Sequence, residues 1–278
     1  MSVRIIVDSS ADLTPEIKER LTVIPMVINF GDEEFVDGVT INHKEFYEKL
    51  TMSDTVPTTS QVTPATYEQY FNEVSAAGDS AVVITLASKL SGTYQSAMIA
   101  VGDYENIYIV DSESATIGSG ILAELALRLV DAGKTAQEIA EILEAEKKNV
   151  FLFAMVDTLE YLKRGGRVSK TAAFAGGLLN IKPIISLSDG EINVLGKARG
   201  LKQAMGMLIE EVGKSGGIDY DKPLLFGYTG NSNLALNDFM NECNGILPNN
   251  FKPQSAAVGS VIGTHAGPGA ITIAFFKK

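Results

Sequence analysis

The chain has a single cysteine, Cys243, and only two histidines among 278 residues. Neither an intramolecular disulfide nor an ordinary structural zinc site of Cys and His ligands can be built from them. Basic residues are scarce beside acidic ones: 23 Lys and Arg stand against 34 Asp and Glu, a formal net charge of -11. A broad nucleic-acid surface needs clustered Lys and Arg to release counterions, so that class of partner is excluded and any basic patch is local. No apolar run approaches the roughly 18 residues of a membrane span; the longest, such as Val150 to Val156, have strand length. The opening MSVRIIVDSS carries neither the basic start nor the long apolar stretch of a signal peptide, which makes the cytoplasm the expected location.

What is present is the composition of a compact globular protein, 45% hydrophobic and 21% charged with 26 glycines. A chain of 278 residues exceeds the usual single domain, so two domains sharing a cleft are expected. From Arg4 to Val156, β-branched runs at Ile5–Val7, Val23–Phe30, Ala81–Leu86, Ile107–Val110 and Val150–Val156 alternate with helical patterns. That alternation predicts an α/β domain over 1–156, with a mostly parallel sheet covered by helices on both faces. Thr14-Pro15, Thr63-Pro64 and Thr135 each place a capping hydroxyl before a helical pattern. After Asp157 the pattern changes. A hairpin is expected over Pro183–Leu187 and Glu191–Leu195 around Asp189-Gly190. Helices follow at Leu201–Val212 and Leu234–Cys243, with strands at Leu224–Tyr228, Ala256–Ile262 and Ala270–Phe276. Residues 157–278 therefore read as a second, smaller α/β layer domain.

Small hydroxyl residues collect after the predicted strands, at Asp8-Ser9-Ser10, Ser88–Thr93 and Asp111–Ser114, where an open parallel sheet lines its ligand crevice. At Leu90-Ser91-Gly92-Thr93, Gly92 lets a ligand approach, while the Ser91 hydroxyl and free backbone N–H groups face an anion such as a carboxylate. Ser91 also reads simply as a helix cap. The loop Pro57–Gln61, between two predicted helices, adds Thr58, Thr59 and Ser60, which equally well bond their own backbone. Asp8 and Asp111 read as caps of the turns that follow them. His265, inside Gly263-Thr264-His265-Ala266-Gly267-Pro268-Gly269, sits where glycines and proline tighten the backbone and bring an imidazole to a ligand; His43 reads as a surface residue. Lys163-Arg164-Gly165-Gly166-Arg167, with Lys197 and Arg199, is a local basic concentration: either a grip for phosphate or carboxylates, or a solvated turn. Ser91 does not stand in a GxSxG elbow, Gly133-Lys134-Thr135 lacks the first glycine of a P-loop, and Gly118-Ser119-Gly120 lacks the rest of a dinucleotide fingerprint. No catalytic residue, resident cofactor or metal is expected.

Taken in order, DSSADL (8–13), PTTSQ (57–61), KLSGTYQSA (89–97), DSESATIGSG (111–120), LEYLKRGGRVS (159–169), GKARG (196–200) and GTHAGPGA (263–270) resemble the DegV family across essentially the whole chain. Ala87 and Val62 depart from the family pattern, standing where Ser and Pro are common. The resemblance implies a two-domain α/β protein that buries a long-chain fatty acid and serves as the lipid-binding subunit of a bacterial fatty acid kinase. A separate subunit would supply ATP and Mg and phosphorylate the carboxyl, feeding phospholipid synthesis, with transient contact at a membrane surface for lipid exchange. Carried over by motif, Thr59, Ser91 and Gly92 would hold the carboxyl with His265, and Arg167 and Arg199 would lie near the head-group exit or a partner.

Hydroxyl donors and an imidazole suit a buried carboxyl, whose burial is costly without hydrogen bonds. A tail of ~14 methylenes at roughly 0.8 kcal/mol each sets an upper bound of about 11 kcal/mol for its burial, before ordering costs. Phe174, Leu178, Ile181 and Met205 are candidates for its lining, and equally for plain core. Two other readings stay open: an acyl hydrolase using Ser91 with His265, weakened by the missing elbow and acid partner, and a regulatory module for which bound lipid is only a signal.

Overall fold

The computed structural model describes residues 2–168 and 180–278. Its first stretch runs β1 (Val3–Asp8), α1 (Pro15–Lys18), β2 (Thr22–Ile24), β3 (Val27–Phe30), β4 (Glu33–Val36), α2 (His43–Met52), β5 (Thr58–Ser60) and α3 (Pro64–Ala76). Next come β6 (Ser80–Thr85), α4 (Thr93–Val101), β7 (Ile107–Asp111), α5 (Thr116–Asp131), α6 (Ala136–Glu146), β8 (Val150–Met155) and α7 (Glu160–Arg164). The chain closes with β9 (Ile181–Ser188), β10 (Glu191–Arg199), α8 (Leu201–Lys214), β11 (Leu224–Tyr228), α9 (Leu234–Glu242), β12 (Gln254–Ala257), α10 (Ser260–Ala266) and β13 (Ile271–Phe276).

The strands form a parallel four-stranded sheet, β2-β1-β6-β7, a mixed six-stranded sheet, β10-β9-β8-β13-β11-β12, and a three-stranded antiparallel sheet, β4-β3-β5. Side chains alternate across a strand, and that alternation divides the apolar runs between cores. Ile5, Val7, Val82 and Ile84 point to the core that holds α5 and α6. Ile6, Ala81 and Val83 point to the other, with α2, α3 and α4. The six-stranded sheet divides likewise: Leu152 and Ala154 share the α5 core, whereas Phe153 and Met155 pack with α8 and α9. Helix α5 thus lies between the two larger sheets, contacting β1 and β6 on one side and β8, β11 and β13 on the other. A helix covered on both sides must be apolar nearly all round, and Ile117, Ile121, Leu122, Ala123, Ala126 and Leu127 are all buried.

Several expectations shift. The single run Val23–Phe30 is two strands, because Pro25 offers no N–H to a ladder; β2 stays in the parallel sheet and β3 leaves for the antiparallel one. Thr58–Ser60, expected as loop, is strand β5, paired antiparallel to β3. Strand β8, which sequence order placed with the first sheet, is central in the second, antiparallel to β13 and β9. A run buried on both faces does not reveal its neighbours. The strand expected over 256–262 ends at Ala257, and Gly259 then starts α10. Thr63 and Thr135 cap as expected, by accepting from Thr66 and Glu138 N–H, but the Thr14 hydroxyl makes no cap bond. The hairpin is present, with Asp189 (φ 51) and Gly190 (φ 73) both left-handed, as its tight turn requires.

Helix α10 packs on α2 through Gly263, where an added Cβ would fall 2.5 Å from Tyr47 Oη and 2.7 Å from Phe46 Cε1. Gly263→Ala is expected to lower stability by roughly 1–3 kcal/mol through overpacking, read as a reduced midpoint in chemical denaturation. An unchanged midpoint would contradict this packing.

Candidate functional site

Where α5 begins, the space between the sheets opens into a cavity of about 190 Å³. The parallel sheet contributes the segments after β6 and β7: Leu86, Leu90, Ser91, Gly92, Ala115 and Thr116. Carboxyl ends of parallel strands are the usual crevice of open α/β sheets. From the six-stranded sheet come Leu152, Ala154, Val156, Ile185, Leu187 and Ile192, the same face that packs on α5. Val261, Ile262, His265 and Ala266 of α10 close a third side. Most of the wall is apolar. Among the described residues no Asp or Glu lines it, and Arg167 is its one cationic side chain.

Polar groups gather at β5, the start of α4 and the end of α10. Thr59 Oγ1 lies 3.0 Å from His265 Nε2, although 206 residues separate them. The segment expected to be a tight loop around His265 is helical up to Ala266; Gly267, at φ 70, ends it by donating its N–H to Gly263 O at 2.8 Å. His265 Nδ1 is buried without a hydrogen-bond partner. Gly165 lies so close that an added Cβ would sit 2.2 Å from that nitrogen. Burial, then the charge of Arg167, lowers the imidazole pKa from 6.5 to about 4. His265 is therefore neutral at physiological pH, a hydrogen-bonding group and not the counter-charge of an anion. When Nε2 carries the proton it donates to Thr59, whose own hydroxyl proton is then free to reach a ligand.

Ser91 is both cap and wall. Its Oγ accepts from Thr93 N–H at 3.3 Å and lies 3.0 Å from Thr93 Oγ1, which accepts from Val62 N–H. When Thr93 donates to it, the Ser91 proton is free for the cavity. Gly92 has a different duty from the expected one: an added Cβ would fall 2.1 Å from Gln61 Oε1, so the missing side chain makes room for Gln61. Gln61, which sequence reasoning passed over, lines the cavity and donates to Ser96 Oγ at 2.7 Å. Arg167 is half-buried, its Nε donating to Leu90 O at 3.1 Å and its Nη1 to Gly165 O at 2.6 Å. These bonds tie the turn after α7 to the Ser91 segment and hold the guanidinium at the wall.

Thr59, Ser91, Gly92, Arg167 and His265 are therefore brought together, and both expected domains contribute to the polar cluster. The remaining candidates are not. Arg199 is exposed at the end of β10 and its N–H bonds Gln203 Oε1, away from the wall. Met205 is buried in the core of α8 and α9, across the sheet from the cavity. Ile181, at the start of β9, is half-buried and is not in the wall. Phe174 and Leu178 lie outside the described residues. Among the described residues the apolar wall uses one face of β8 and β9, signalled by the period-2 spacing of Leu152, Ala154 and Val156. His43, expected at the surface, is half-buried, its Nε2 2.9 Å from Gly230 O. Asp8 accepts from Ser10 N–H and Leu86 N–H, and Asp111 from Ser88 and Glu113 N–H, the expected turn-capping roles. Among the described residues no cluster of three or more His, Cys, Asp or Glu could hold a metal, and no helix is long and apolar enough to cross a membrane.

Residues 2–278 match the family model described as uncharacterised protein, DegV family. A DegV domain-containing protein of Caldanaerobacter subterraneus is 34% identical over 99% of each chain. Among solved structures, a fatty-acid-binding DegV family protein from Thermus thermophilus superposes with a TM-score of 0.89, at 28% identity over 100% of both chains. A stearic-acid-binding protein from Eubacterium ventriosum gives 0.87 at 28% identity, over 100% of this chain and 99% of that one.

In the ligand-free protein, the His265 ring is expected to titrate near pH 4 by NMR. A midpoint near 6.5 would mean that burial does not hold it neutral.

Proposed function

The chain belongs to the DegV family, and from that footing we propose that it binds a long-chain fatty acid. The carboxylate lies among Thr59, Ser91, His265 and Arg167, and the tail runs against Leu152, Ala154, Ile185 and Leu187. The carrying observation is that four side chains named from sequence as head-group contacts share one cavity, otherwise mainly apolar and free of described carboxylates. Arg167 supplies the positive charge that His265, held neutral, does not. Charge-assisted hydrogen bonds of this kind are about twice as strong as neutral ones. The binding of stearic acid by the Eubacterium ventriosum relative supports the same ligand class here.

We extend this to a non-catalytic role in the cytoplasm. The protein presents the carboxyl to a separate ATP- and Mg-dependent kinase subunit, which transfers a phosphoryl group to a carboxylate oxygen and releases ADP. The acyl phosphate then feeds phospholipid synthesis, and cargo is exchanged in transient contact with a membrane surface. Bonding of His265 to Thr59, together with its low basicity, favours holding a ligand over activating Ser91 for hydrolysis.

Native protein, denatured and extracted, is expected to release a fatty acid detectable by mass spectrometry in near-equimolar amount. An empty extract, with no uptake of added fatty acid, would overturn the reading. Removing a hydrogen bond to a charged group costs roughly 1.5–3 kcal/mol, so Thr59→Val should weaken fatty-acid binding about ten- to a hundredfold, and Arg167→Gln at least as much. Calorimetric titration of delipidated protein measures both. Wild-type affinity in Arg167→Gln would remove the guanidinium from the site.

A further inference from the structure

Beside the start of α10 lies a second cavity, of about 330 Å³, lined by Asp12, Lys18, Asp37, His43 and Ser260 among others. The Asp12 carboxylate is 6% exposed and bridges two segments that both form the wall of the first cavity. Oδ2 accepts from Thr116 Oγ1 at 2.6 Å, and Oδ1 accepts from Gly259 N–H at 2.7 Å. The Asp12 N–H also donates to Thr116 O at 3.2 Å. Thr116 opens α5 at φ 49, a left-handed conformation that costs a β-branched residue energy and persists only where its surroundings enforce it. Gly259 immediately precedes α10, whose Ile262 and His265 line the cavity. The loop is pressed onto α5: an added Cβ at Gly120 would fall 2.2 Å from Asp12 O.

We propose that Asp12 is a positioning residue for the head-group site: its carboxyl group pins the start of α5 to the start of α10, and so sets Thr116 and His265 in the cavity wall. The inference rests on the fatty-acid reading. One Asp12 oxygen accepts from the Gly259 N–H, and the other meets the Thr116 hydroxyl, which can either donate or accept. An Asn side chain can therefore keep both bonds, its Oδ1 accepting from Gly259 N–H and its Nδ2 donating to Thr116 Oγ1, whereas Ala keeps neither.

The surroundings bear on which form is present. Asp37, after β4, and Lys18, on α1, act on Asp12 with opposite signs; His43 and Tyr47 face the same region from α2. Burial raises the Asp12 pKa to about 7, with a further rise from Asp37, against the lowering by Thr116, Gly259 and Lys18. Asp37 is raised by burial as well, and Tyr47, raised well above 10, stays neutral. A folded-state value above 3.8 means that folding favours the protonated form, so Asp12's contribution to stability falls as pH rises from about 4 to about 7.

The test is titration of delipidated protein with a fluorescent long-chain fatty acid at pH 8. Asp12→Ala should bind about tenfold more weakly than wild type, as for the loss of one hydrogen bond, and Asp12→Asn, which can keep both bonds, should restore the wild-type Kd. Thr116→Val removes one of the two bonds and should weaken binding in the same direction. It serves as the second readout if Asp12→Ala fails to fold. Asp12→Ala and Thr116→Val proteins that keep the wild-type Kd, or that lower only Tm, or an Asp12→Asn protein as weak as Asp12→Ala, would overturn the positioning role. A wild-type protein that binds no fatty acid would instead overturn the functional reading on which it rests.

Discussion

The burial of α5 between two sheets is the constraint on which the rest depends. A helix in that position fills the interlayer with Ile117, Ile121 and Leu122, and it can approach β11 because Gly227 presents no side chain: an added Cβ there would lie 3.2 Å from Ile117 Cγ2. The interlayer continues past the first turn of α5, where none of the described helices fills it. One wall there is the upper end of the parallel sheet, the other the apolar face of β8 and β9, and α10 closes the side. The cavity is thus a consequence of where a buried helix starts, and its apolar lining is the same surface that would otherwise be core.

Charge then decides what such a space can hold. An anion buried beside hydroxyls alone would retain much of its desolvation cost, since an unpaired buried charge is far more expensive than an unpaired polar group. Arg167 changes that balance from within the wall, and its field also helps to hold His265 unprotonated. The two side chains therefore differ in kind: a permanent cation, fixed by two backbone carbonyls, and a neutral ring that orients Thr59. This arrangement suits a carboxylate better than a neutral lipid head.

Much of this was legible in the sequence. Alternating apolar runs gave the layered α/β organisation, Asp189-Gly190 marked the hairpin, and the motif order identified the family together with Thr59, Ser91 and His265. The tail wall was not legible. Ile181 and Met205 looked as suitable as Leu152 or Ile185, because every one of them is apolar. What separates them is which face of a doubly buried strand meets the gap beside α5, and that depends on pairing across the sheet. Sequence likewise does not show burial, so it gave no sign that His265 is held neutral, and His43 passed for a surface residue. Gly92 was singled out for the close approach of a ligand, but the group that lies against it is Gln61.

A cavity that recognises a carboxylate through Arg167 and its hydroxyl and imidazole neighbours does more than shelter a hydrocarbon chain. Calorimetric comparison of a saturated fatty acid with the fatty alcohol of equal length tests it most directly, because the tails are identical and only the charged head differs. The account predicts that the acid binds at least about tenfold more tightly, as expected for one charge-assisted hydrogen bond. Equal affinities for acid and alcohol would contradict it.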